Sequence, residues 1–364
     1  MNTEDLSLSA EPAPSPEYEK IKVGELRLDS GTVLPDVELA FERAGKKGGP
    51  AILVCHALTG NQYTVGTEEQ PGWWRGLIGP GGHIDTNKYE VITFNVLGGC
   101  SGSTGPTSMN PLTERPYQYD FPKITIRDIV HSQVLALRKL GINKVKAAIG
   151  GSLGGMQVLE LAIAYPDFAE LIIPMAVTPY LSDYGIAFNT IGRKAIERDP
   201  AWNGGFYAEG ARISGLEIAR MVGMVTYRTA PLFNQRFNRE LKDGETYQVE
   251  SYLNYQGQKL SSRFDANSYL HLLGAMDSHD IGRGRHGWET AIEQITANAL
   301  LLGYTGDLLY PPEKVKEIAE ALQEAGKEAD YVEVSTDFGH DGFLAEFPKW
   351  GGILEAALED LRRR

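Results

Sequence analysis

Cysteine is scarce in this sequence: among 364 residues there are two, Cys55 and Cys100. Two thiols cannot build a disulfide framework, and neither belongs to a Cys-x-x-Cys pair, so zinc-ribbon and dithiol redox architectures are excluded. Cys55 lies in an apolar run and reads as a small buried residue. Long hydrophobic stretches are missing as well. No segment approaches the roughly 20 apolar residues that span a bilayer, and the opening Met1-Asn-Thr-Glu-Asp5 lacks the basic and apolar regions of a secretory signal. A cytoplasmic protein is expected. Basic charge is in deficit, with 35 Lys and Arg against 48 Asp and Glu and a net charge of −13. Binding to nucleic acid or to an acidic membrane is therefore not expected, because both need basic surface to neutralise phosphates. An anionic cosubstrate would need a local basic patch. The stretch Asn95 to Pro106 is rich in glycine and serine but lacks the Gly-Lys-Ser/Thr of a phosphate-binding loop. No metal site is expected.

The residues that are present have the balance of a soluble globular chain, 42% apolar and 23% charged, long enough for one large α/β domain with an insertion. Pro12, Pro14 and Pro16 at alternate polar positions predict a disordered arm over 1–18. Strand-like alternation covers Lys20 to Leu28 and Asp36 to Arg43. A continuous apolar run follows at Ala51 to Cys55, which suits a strand covered on both faces, and Tyr89 to Phe94 is the next strand. Helical spacing over Thr125 to Leu140, a strand from Val145, a helix over Gln157 to Ala164 and a strand over Leu171 to Val177 give the βαβ rhythm of a mostly parallel sheet. From 181 to 290 the apolar strands disappear and helical patterns rich in Tyr, Arg and Asn take over. Strand Ala299 to Gly303, helix 312–325, strand 330–335 and helix 345–361 resume the sheet. The expected architecture is a catalytic body over 19–180 and 291–364 with an inserted helical lid.

The chemistry centres on Gly150-Gly-Ser-Leu-Gly-Gly-Met-Gln157. Gly150, Ser152 and Gly154 fit the Gly-x-Ser-x-Gly elbow, in which a strand turns sharply into a helix and exposes a serine. The turn also sets the Leu153 amide at a helix N-terminus, where unpaired N–H groups stabilise a developing oxyanion. Alone, the motif is equally well a plain strand-to-helix turn. A serine hydroxyl needs a base, normally a histidine held by a carboxylate, and on this kind of elbow the order is Ser, Asp or Glu, His. Of the histidines, His340 alone follows the final strand, and Asp307 follows the strand at 299–303. Helix capping is the bland use of Asp307, and an ordinary loop position that of His340. Three residues in this order, each after a predicted strand, predict a triad of Ser152, Asp307 and His340. The second oxyanion donor is expected in the loop after the Ala51 strand, at the Leu58 amide, and His56 is expected to be structural.

The chain resembles the homoserine O-acetyltransferase family of α/β-hydrolase-fold enzymes. The resemblance runs from about residue 20 through Cys55-His-Ala-Leu-Thr-Gly60, Gly72-Trp-Trp74, Asn95 to Cys100, Thr125-Ile-Arg-Asp128, the elbow, Ala219-Arg220, Thr226-Tyr227, Arg263 to Tyr269 and Gly339-His-Asp341. It implies acetyl transfer from acetyl-CoA, a cosubstrate with no permanently bound cofactor, to the hydroxyl of L-homoserine by a ping-pong route. It also implies that Arg220 binds the acceptor's carboxylate and Asp341 its amino group, that Asn95 to Pro106 is a loop on the substrate side, and that the protein is a homodimer joined through the lid. The alternatives are a salt bridge within the lid for Arg220 and helix capping for Asp341. Succinyl-CoA as donor, L-serine as acceptor, esterase or thioesterase activity, and a non-catalytic binding protein remain competing readings. Asn61 to Val65 lacks a histidine expected nearby, a departure that bears on specificity and leaves the triad untouched.

Overall fold

The computed structural model describes residues 16–363. The arm expected over 1–18 lies mostly outside them, and its last two residues are already in strand β1, Glu17–Arg27. β1 pairs antiparallel with β2, Val33–Gly45. The remaining strands of the main sheet are β3 (Ala51–Cys55), β4 (Glu90–Phe94), β5 (Val145–Gly151), β6 (Ala169–Met175), β7 (Asn298–Tyr304) and β8 (Ala329–Val334). Their order is β1-β2-β4-β3-β5-β6-β7-β8. From β4 to β8 every pairing is parallel, whereas β2 meets β4 antiparallel.

Both faces of the sheet are covered, which is why β3 reads as an unbroken apolar run. Every residue of β3 and of β4 is buried. In β3, Leu53 and Cys55 join one core cluster while Ile52 and Val54 join the other, as the two-residue period of a strand requires. Helices α1 (Ile126–Lys139) and α2 (Leu153–Ala164) contact each other and contribute to the first cluster. The second is closed by α10 (Phe347–Arg363), whose Trp350, Leu354 and Leu358 are buried against the strands. Thr125 and Asp128 form a reciprocal capping box at the start of α1. The same Asp128 carboxylate accepts the Asp29 N–H at 2.6 Å and ties this helix to the turn after β1.

Between β6 and β7 lie α3 (Asp183–Glu197), α4 (Ser214–Tyr227), α5 (Ala230–Phe237), α6 (Gln248–Ser261), α7 (Ala266–Asp277) and the short α8 (Trp288–Ile292). The first four form the inserted lid. α7 is buried on nearly every side and belongs to the main core, consistent with its apolar sequence all round. α9 (Pro312–Glu324) follows β7. Among the described residues no helix is long and apolar enough to cross a membrane.

Candidate active site

Ser152 stands between the end of β5 and the first residue of α2, with φ 58° and ψ −126°. That backbone region is costly for a residue with a side chain, by about 1–3 kcal/mol, and persists only when its surroundings force it. The forcing contacts are visible. Ser152 N–H donates to Met175 O at 3.0 Å and Met156 N–H to Ser152 O at 3.0 Å. A Cβ on Gly154 would stand 2.1 Å from Cys55 O, and one on Gly151 would stand 2.5 Å from the Phe343 ring. The glycines are therefore dictated by the approach of β3 and of the segment that carries His340.

His340 lies in the one-turn helix Gly339–Leu344 beyond β8. Its Nδ1 is 2.8 Å from Asp307 Oδ2, and an ionised carboxylate can only accept, so Nδ1 carries the proton and Nε2 of the neutral ring is left as an acceptor. Asp307 Oδ1 accepts the N–H groups of Leu309 at 2.9 Å and Tyr310 at 3.0 Å, which fixes the carboxylate. The imidazole is flanked by Tyr310, Phe343 and Tyr227, at centroid distances of 5.1, 5.4 and 5.5 Å. Burial pushes the His340 pKa down, but the charge of Asp307, the hydrogen bond to it and the charge of Asp341 together outweigh burial and raise it above the ordinary histidine value. Trp74 Nε1–H donates to Phe343 O at 2.9 Å, fastening the His340 segment to the loop after β3.

Leu58, Ser152, Arg220, Arg228, His340 and Asp341 line one cavity of about 250 Å³. Leu58 N–H and Leu153 N–H donate no hydrogen bond to any described residue, as an oxyanion hole requires. The Ala57–Leu58 peptide is oriented from behind. Ala57 O accepts the His56 Nδ1–H at 2.7 Å and Gly60 N–H at 2.9 Å, while Val96 N–H donates to His56 Nε2 at 3.1 Å. These partners define a neutral His56, and burial, only partly opposed by its bond to Ala57, lowers its pKa to about 4. The Gln157 amide donates to His56 O at 3.2 Å and to Leu153 O at 3.0 Å, joining the two oxyanion segments.

Arg220, on α4, has no carboxylate within salt-bridge distance among the described residues; it sits 5.7 Å from the centroid of the Tyr227 ring. The lid salt bridge considered for it is not formed. Asp341 is paired with Arg228, Nε to Oδ2 at 3.0 Å, and lies ahead of α10 without capping it. Arg228 escaped notice in the sequence, although it directly follows Thr226-Tyr227. The loop from Asn95 to Pro106 contributes nothing to the Ser152 cavity. Cys100 and Pro106 line a separate cavity of about 820 Å³, and Ser103 Oγ bonds Asn95 O and Ala40 N, so the loop is braced against β2. No group of three or more His, Cys, Asp or Glu side chains among the described residues is placed to hold a metal ion.

The mostly parallel sheet, the strained serine between β5 and α2 and the lid define an α/β-hydrolase-fold enzyme, and residues 50–347 match the family model described as alpha/beta hydrolase fold. The homoserine O-acetyltransferase of Carboxydothermus hydrogenoformans is 45% identical over 361 residues, covering 94% of this chain and 95% of that protein. A homoserine O-succinyltransferase of Halothiobacillus neapolitanus is 40% identical over 353 residues, covering 92% and 88%. The crystal structure of the homoserine O-acetyltransferase from Bacillus anthracis superposes with a TM-score of 0.88 at 28% identity, over 94% of this chain and 97% of that one. The chain belongs to the homoserine O-acetyltransferase family and is an acyltransferase of that family.

Proposed function

We propose that the protein transfers an acetyl group from acetyl-CoA to the side-chain hydroxyl of L-homoserine, with Ser152 as the acyl carrier. The observation that carries this reading is the set of charges beside Ser152: an unpaired guanidinium, Arg220, and a carboxylate, Asp341, share its cavity. An α-amino acid presents the complementary carboxylate and ammonium, and a guanidinium fork suits the first as a carboxylate suits the second. The partners of Asp341 then trade: the acceptor's ammonium competes with Arg228.

In the first half-reaction His340 Nε2 takes the proton of Ser152 Oγ, which attacks the thioester carbonyl. The oxyanion is held by the Leu58 and Leu153 amides, and CoA leaves as the thiol with the proton from His340. In the second, His340 deprotonates the acceptor hydroxyl, which attacks the acetyl-serine and regenerates Ser152. Homoserine must outrun water, and clamping both ends of the amino acid beside Ser152 supplies the needed effective concentration.

Acetyl-CoA and succinyl-CoA crossed with L-homoserine and L-serine, followed by thiol release and product mass, test the reading. Acetylation of homoserine should dominate, with little thiol released when no acceptor is present. In Arg220→Ala the KM for homoserine should rise by about 10²-fold, the scale for deleting one partner of a desolvated charge pair, while the acetyl-enzyme still forms. Equal thiol release with and without homoserine would make the protein a thioesterase.

The lid also supplies a dimer surface. Tyr184 and Ile191 on α3, and Ile218 and Val225 on α4, are each about half exposed. Each pair is seven residues apart and so shares a helix face, and α3 and α4 lie side by side. A second copy of this chain covers the stripe in the proposed homodimer. Sedimentation equilibrium should give twice the chain mass, and Ile191→Glu should give the monomer.

A further inference from the structure

One wall of the catalytic cavity continues into cationic and aromatic side chains that the reaction above leaves without a role. Arg228 lies 5.8 Å from the centroid of the Tyr252 ring, and Arg236 lies 4.7 Å from the same centroid. One ring is thus bordered by two guanidiniums. Tyr252 in turn packs on Phe237 at 5.2 Å. Phe237, Phe233, Tyr247 and Arg239 line a further cavity of about 510 Å³. Arg239 donates to the Tyr247 hydroxyl at 3.3 Å, and the Lys242 ammonium donates to Ser251 Oγ at 3.1 Å.

Two features of this strip bear on ligand binding, and its three cations are exposed. Arg236, Arg239 and Lys242 form no salt bridge among the described residues, although the chain carries a net charge of −13. Glu240 is the carboxylate that also borders the second cavity, and it is engaged by Gln248 Nε2 at 2.9 Å. The Tyr252 hydroxyl is buried and has no hydrogen-bond partner, a state that buried polar groups rarely keep. Unpaired guanidiniums bind phosphate through two parallel hydrogen bonds, and aromatic walls stack on a purine.

We infer that this strip binds the nucleotide end of the coenzyme A thioester. Arg236, Arg239 and Lys242 take the phosphates, the cavity beside Phe233 and Tyr247 takes the adenine, and the pantetheine arm runs past Tyr252 and Arg228 to Ser152. The inference rests on the acyl-CoA reading and locates its donor. Glu240, Asp243, Glu245 and Glu250 stand in the same stretch as the three cations, so the phosphates are held by point contacts to the guanidiniums and not by an excess of positive charge.

The test compares two donors, acetyl-CoA and S-acetyl-pantetheine, the second lacking the nucleotide and all its phosphates. For each, kcat/KM is measured on the full chain, on Arg236→Gln/Arg239→Gln and on Arg236→Lys/Arg239→Lys. The preference for acetyl-CoA over S-acetyl-pantetheine should fall by about tenfold for each guanidinium removed, the scale of one charge-assisted contact, and the lysine pair should restore part of it. Both arginines are exposed, so the glutamine pair should melt at the temperature of the unaltered chain. An unchanged preference, or an equal loss with both donors, would overturn the inference while leaving acetyl transfer intact. Absence of thiol release from acetyl-CoA by the unaltered chain would overturn both.

Discussion

Ser152→Ala should form no acetyl-enzyme on mixing with acetyl-CoA, and its turnover with homoserine should fall by about 10⁴- to 10⁶-fold, the range for removing a nucleophile that acts with its base as a unit. The size of the effect follows from the geometry. His340 is aimed by Asp307 and enclosed by three aromatic rings, and it lines the same cavity as Ser152. The substitution should leave the fold unchanged. Alanine meets the same backbone penalty at φ 58° as serine does, and the bonds that hold the turn run through the Ser152 main chain. Intact-protein mass spectrometry after a brief exposure to acetyl-CoA reads the adduct, and thiol release reads turnover. A variant that keeps transferring acetyl to homoserine without an adduct would replace the acyl-serine route by direct attack of the acceptor on the thioester.

Much of this geometry was legible in the chain, for identifiable reasons. β3 showed itself as an apolar run because both sheet faces are covered. The elbow showed itself because glycine is what remains when Cys55 O and the Phe343 ring come within van der Waals reach of the turn. Asp307 and His340 could be placed because each follows a strand of the resumed sheet, β7 almost wholly buried and β8 half exposed. What stayed hidden depends on contacts between distant segments. The pairing of Arg228 with Asp341 and the bond from Trp74 to Phe343 O exist only once the sheet has brought their segments together. Element ends moved by one to four residues, because a cap such as Thr125 or a strand pairing such as Glu17 with Arg43 decides them, and hydropathy does not. The loop from Asn95 to Pro106 was expected on the substrate side. Its serines and Asn95 instead satisfy backbone groups of β2 and of the loop itself, a use that composition does not distinguish from ligand binding.

Asp307→Asn should be the second most damaging change, and its pH profile separates orientation from charge. The carboxamide can still accept the N–H groups of Leu309 and Tyr310 through its oxygen, so the local turn should survive. Its nitrogen, however, faces His340 Nδ1 as a donor. The imidazole then takes the other tautomer, Nε2 carries the proton, and the base is lost, at a cost of about 10⁴-fold in kcat. In the unaltered protein the His340 pKa stands above the ordinary histidine value, so kcat/KM should climb with pH and level off only above that value, once the imidazolium has lost its proton. With the Asp307 charge gone, burial outweighs the remaining pull of Asp341, and the acidic limb of the residual activity should move to lower pH. Stability carries the opposite sign. A raised folded-state pKa stabilises the fold at pH below the unfolded histidine value, and that contribution disappears as pH rises through the folded value. The unaltered chain should thus lose a little thermal stability over the same interval in which it gains activity, and Asp307→Asn, with the His340 pKa held down by burial, should reverse that slope. A full-rate variant, or one whose acidic limb stays in place, would show that His340 is not the base that Asp307 holds.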